Sequence, residues 1–103
     1  MASTDDIKEF AVVEFPEEEI NGTMPLAIIS NAWLVEENMD MMCWWPSYIK
    51  SDSEREKLIV NRTPLDKSKC DKCLVNVIYS SSHYTNALTK LNFLSKRTNV
   101  PLI

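Results

Sequence analysis

Leu74-Val75-Asn76-Val77-Ile78-Tyr79, followed at once by Ser80-Ser81-Ser82 and then by Tyr84, Ala87, Leu88, Leu91 and Leu94, sets the fold class of this chain. The first six residues are β-branched and aromatic in character and read as a strand. The serines offer hydroxyl N-caps, so a helix is expected to begin beside Ser82. The apolar residues after it recur at helical spacing on one face, while Lys90, Lys96 and Arg97 suit the polar side and the C-terminal end. Phe93 falls about 180° from Tyr84 on the helical wheel and is expected to point away from the core.

Upstream, Glu9-Phe10-Ala11-Val12-Val13-Glu14-Phe15 is apolar on both parities at its centre, as a central strand is, and stops at Pro16 with the acidic run Glu17-Glu18-Glu19. Asn21-Gly22 is a hairpin signal that lets Leu26-Ala27-Ile28-Ile29 return antiparallel. Ser30-Asn31 begins a turn ending in Ala32-Trp33-Leu34-Val35, and Glu36-Glu37-Asn38 reads as a polar connection to a third strand, Met41 to Trp45, ended by Pro46. From Tyr48 to Lys72 the chain is charged and turn-rich, with a short helix expected over 54–60 that packs Leu58 and Ile59. These elements make a small α+β domain: a strongly bent antiparallel sheet or partial barrel of three to four strands with a C-terminal helix. The expected division is a flexible arm over 1–8, one interaction domain over 9–97 and a tail over 98–103.

With 103 residues and 45% hydrophobic content the chain suits one globular domain. Eleven basic against fifteen acidic side chains give a formal charge of -4, which opposes sequence-independent nucleic-acid binding because that depends on neutralising phosphates; a local basic patch stays open. The stretch worth testing as a membrane span, residues 38–47, is interrupted by Asp40 and falls far short of the roughly 20 apolar residues a span requires, so no membrane partner is expected. Met1-Ala2-Ser3-Thr4-Asp5-Asp6 lacks the basic and apolar regions of a secretory signal. An intracellular location with reduced cysteines follows, and the sequons at Asn21 and Asn61 read as turns. The ending Val100-Pro101-Leu102-Ile103 suggests a domain excised from a longer protein.

Cys70-Asp71-Lys72-Cys73 has half of a zinc-site spacing, with Cys43 and His83 as distant candidates for completing it. A second close pair is missing, so the cysteines are read as small apolar fillers, with no metal and no cofactor expected. The pair precedes a strand and not a helix, against a thioredoxin-like role. His83 lacks a placed third group for nucleophilic catalysis, and a non-enzymatic protein is expected.

The run Cys43-Trp44-Trp45-Pro46-Ser47-Tyr48 concentrates large aromatics of the kind that grip partners. Alternation on a strand sends Trp44 and Trp45 to opposite faces, so one of them needs cover outside the main core. Phe15, Trp33, Trp44, Trp45 and Tyr48 are also candidates for a cage around a methylated lysine. The candidate interaction residues are Trp44, Trp45, Tyr48, Phe93 and Leu102.

The order Phe10-Ala11-Val12-Val13-Glu14-Phe15, Ile28-Ile29, Trp33-Leu34, Cys43-Trp44-Trp45-Pro46-Ser47-Tyr48, then Val75-Asn76-Val77-Ile78-Tyr79 with Tyr84 and Ala87, resembles an N-terminal domain of invertebrate proteins, often transposon-associated or nuclear regulatory chains. The likeness spans most of residues 9–95. It departs at Cys70 and Cys73, where that domain tends to carry aromatics, and at Ser47, where it tends to carry a second proline. The resemblance implies an architecture and a nuclear setting, with the cytoplasm as the alternative, and no activity. The expected function is a protein-interaction domain of a larger chromatin-associated regulator, self-associating as a homodimer or docking a partner peptide. The alternatives are a Tudor-like reader of modified peptides or a small zinc-bearing nucleic-acid module.

Overall fold

The computed structural model describes residues 8–98, with side chains described through residue 96. Six strands and two α-helices follow one another as β1 (Phe10–Glu14), β2 (Leu26–Ser30), β3 (Leu34–Glu37), β4 (Asp40–Trp45), α1 (Asp52–Val60), β5 (Asp71–Leu74), β6 (Asn76–Ser81) and α2 (Tyr84–Thr98). They form two antiparallel sheets of three strands, ordered β2-β1-β6 and β3-β4-β5. The α+β class and the closing helix are as the sequence implies. Of the expected arm and tail, only Lys8 and the backbone of Thr98 lie within the described residues.

Two corners explain why the bent sheet divides. At the first, Ser30 ends β2 and its hydroxyl accepts from the Ala32 amide at 3.3 Å, capping a 3-10 turn over residues 31–33 that buries Trp33 before β3 begins. At the second, the buried Val75 is the only residue between β5 and β6, and its amide donates to the Met41 carbonyl at 3.0 Å. β2 with β3, across the 3-10 turn, and β5 with β6, across Val75, therefore carry the chain from one sheet to the other. The sheets are joined at these corners without closing into a barrel.

The polar connection expected at Glu36-Glu37-Asn38 is instead the end of β3 and a two-residue turn. Glu37 pairs with Asp40, while Asn38 and Met39 both take left-handed backbone angles, φ 53° and 70°. That is the conformation of a type I′ hairpin, which usually carries glycine second. The Asn21-Gly22 turn does have its glycine, at φ 82°, and closes the Ile20–Thr23 bridge before β2 returns against β1.

β1 is buried on both faces because each face has its own cover. Phe10 meets Tyr84 of α2 edge-on at 5.6 Å, while Phe15 just beyond the strand meets Trp45 of the other sheet at 5.5 Å. β6 carries a bulge opposite Val12 and Val13, leaving Ile78 as the extra residue. Ser81 accepts from the His83 amide at 3.1 Å and so caps the approach to α2, whose Ala87 and Leu91 enter the core. Ser51 caps α1 by accepting from Glu54, and Ile59 is the residue that helix buries.

Candidate functional site

Alternation along β4 decides the fate of its aromatic pair. Cys43 and Trp45 turn inward. Trp45 stacks edge-to-face on Phe15 and, at 6.5 Å, on Trp33, and the Arg55 guanidinium from α1 lies over its ring at 4.8 Å. Trp44 turns the other way and lines an open cleft of about 570 Å³. The start of β1 supplies Lys8, Glu9 and Phe10, the 3-10 turn supplies Asn31 to Trp33, and the segment after α1 supplies Arg62 to Leu65 and Lys67. Its volume lies within the range of ordinary ligand pockets.

Local sequence holds the wall of this cleft in place. Asn61 ends α1, the Arg62 amide donates to the Ile59 carbonyl at 3.3 Å and the Thr63 amide to that of Leu58 at 3.0 Å, the paired bonds of a Schellman cap. Arg62 occupies the left-handed position of that cap at φ 55°, where glycine is usual, and its guanidinium forks onto the Glu9 carboxylate. The Tyr48 hydroxyl accepts from the Asp66 amide at 3.3 Å, so Tyr48 ties the loop down from behind. Asp66 in turn accepts from Ser68 and pairs with Lys69 at 3.8 Å; chiefly the Ser68 hydrogen bond holds its carboxyl below the ordinary range.

Trp44 is framed by cations. The ammonium of Lys72, its cross-strand neighbour, lies 4.8 Å from the ring centroid, and that of Lys67 lies 5.7 Å away. Lys72 also pairs with Glu37.

The five candidate interaction residues therefore separate. Trp44 lines the cleft, Tyr48 positions its wall, and Trp45 packs between the sheets. Phe93 is 54% exposed on the far side of α2, with the Lys90 ammonium 5.8 Å from its ring and 5.7 Å from that of Tyr79. Leu102 lies outside the described residues. The five rings considered for a cage do not converge on one open space: Phe15 is buried, Trp45 packs on Phe15 and Trp33 with Arg55 over its ring, and Tyr48 holds the loop from behind, so that Trp44 meets the cleft with only the edge of the 3% exposed Trp33.

Cys43 and Cys73 stand opposite one another across β4 and β5. Burial, reinforced by Cys73 and Cys70, pushes the Cys43 thiol up to about 12. Burial and then neighbouring carboxylates also raise Cys70 and Cys73, the former partly offset by Lys67. All three thiols are thus shifted away from the thiolate, the form that attacks or binds metal. Among the described residues no cluster of three or more His, Cys, Asp or Glu side chains is placed to hold a metal ion.

Lys8, Arg62 and Lys67 are site residues that sequence reading misses. Arg62 carried the faint signal of a non-glycine residue two positions past the helix end. Compared with known proteins, the chain matches no family model, no curated protein and no solved structure.

Proposed function

We propose that this chain is a non-catalytic protein-interaction domain that docks a peptide of another protein in the cleft beside Trp44. One observation carries the reading. Of two adjacent tryptophans, one is consumed by packing, while the other lines an open cleft whose wall is held by an interlocked set of caps and tethers. A large aromatic kept at such a place suits an anchor site for a partner. The upward shift of all three thiols is consistent with a non-catalytic role. The resemblance noted above suggests a larger nuclear, chromatin-associated regulator as its setting.

The test is selection of random twelve-residue displayed peptides on the full chain, counter-screened on Trp44→Ala. Peptides retained by the wild type and lost by the variant are the expected result. Retention that ignores both Trp44→Ala and Ala32→Tyr, an exposed substitution that fills the cleft, would overturn the reading.

A second reading, self-association, is favoured by a separate surface. Among the described residues β6 has one unpaired edge bearing Val77 and Ile78, each about two-fifths exposed, and Phe93 stands out from α2. A two-fold contact there would pair uncharged edge strands. Sedimentation as a dimer at micromolar concentration, converted to a folded monomer by Phe93→Glu, is the outcome this reading requires; a wild-type monomer well above that concentration removes it.

A further inference from the structure

The charge of the cleft runs against the charge of the chain. Over its whole length the chain is net -4, yet the residues lining the cleft bring three cations, Lys8, Arg62 and Lys67, against the single carboxylate of Glu9. Glu9 is already held by the Nε and Nη2 of Arg62, and the nearby Asp66 is engaged by Ser68 and Lys69. The Lys72 ammonium at the Trp44 ring is likewise engaged by Glu37, which leaves Lys8 and Lys67 as the cations the cleft offers a ligand. Below this rim Phe10, Trp33, Ile59 and Leu65 give the cleft apolar walls.

We infer that the cleft takes an acidic peptide segment, with carboxylates at Lys8 and Lys67 and one apolar side chain inserted beside Trp44. This rests on the peptide-docking reading and names its ligand. Charge complementarity selects the class. A methylated lysine would bring a third cation to a ring that already has two within 6 Å, and like charges brought together oppose binding. A nucleic-acid strand long enough to leave the cleft would run onto a surface whose overall charge repels it, whereas a short peptide keeps its charge beside the rim.

The composition of the peptides lost on Trp44→Ala decides the matter. They are expected to be net acidic with one aromatic or branched residue, and a synthetic copy followed by fluorescence anisotropy should weaken about tenfold on Lys67→Glu and again when salt rises from about 0.05 to 0.3 M. Trp44-dependent peptides that are neutral or basic would overturn the acidic ligand while leaving the docking cleft standing. Enrichment with no dependence on Trp44 or Ala32 would overturn the docking reading itself. A dT12 oligonucleotide that binds more tightly than the best peptide, and is lost on Trp44→Ala, would replace the peptide with nucleic acid.

Discussion

Replacing Trp33 with alanine should cost the domain about a third or more of its stability, whereas the same change at Trp44 should cost markedly less. Trp33 is 3% exposed beneath the turn between β2 and β3 and stacks on Trp45 with an interplanar angle of 85°. Large-to-small changes at buried aromatic sites cost about 3–5 kcal/mol, combining lost transfer energy with the cavity left behind. A domain of this length holds about 5–15 kcal/mol in total, so Trp33→Ala should lower Tm by about 15–30 °C or leave the chain unfolded at room temperature. Trp44 is half-buried on the outer side of β4, and its removal gives up chiefly two cation–π contacts, about 1–2 kcal/mol together. Urea melts followed by far-UV circular dichroism avoid the change in tryptophan fluorescence that each variant brings. A loss below about 1.5 kcal/mol for Trp33→Ala, or equal losses for the two variants, would refute the division into one core and one half-buried, cleft-lining tryptophan.

Met39 sits at φ 70° in the β3–β4 turn and is 94% exposed, so Met39→Gly should relieve a left-handed side chain and stabilise the fold by about 1 kcal/mol, read as a Tm several degrees higher. At alkaline pH stability should fall, because the raised folded-state values mean that the native state holds protons the unfolded chain has released. The contribution is intact below pH 9.0 and is lost for Cys43 as pH rises from 9.0 to about 12, with Tyr84, raised by burial and by Glu56, adding to the loss from 10.0 to about 12. Thermal melts from pH 8 to 11 should show the decline and a shallower one in Cys43→Ala, where Cys70, Cys73 and Tyr84 remain; a wild-type profile that stays flat would contradict the burial of that thiol. Arg62→Gly should keep or raise Tm, since glycine suits the left-handed cap, while weakening the acidic peptide by removing a rim cation. A variant that binds as well as the wild type would remove Arg62 from the site.

Local chemistry explains which parts of this molecule are legible in its sequence. β1 announces itself by apolar residues on both parities, and α2 by its helical stripe, because both patterns are set by burial of one short segment. β3 hides because Glu36 and Glu37 face solvent and because Met39 stands where a hairpin glycine would have marked the turn. The corners at Ser30 and Val75 depend on what each strand meets after bending, which no local pattern records. Alternation shows that Trp44 and Trp45 part company. Which of them faces inward depends on Phe15, Trp33 and Arg55, distant in the chain. The cleft is harder still, since Lys8, Arg62 and Lys67 meet only after α1 returns to the start of β1.

Chemical-shift mapping on the labelled full chain, titrated with a peptide from the selection, tests the central claim most directly. The account predicts that the largest shifts fall on the Trp44 indole N–H and on the amides of Asn31, Ala32, Thr63 and Leu65, with β6 and the Phe93 face of α2 unmoved. Shifts concentrated on Val77, Ile78 and Phe93, with Trp44 silent, would contradict it and move the binding surface to the other side of the domain.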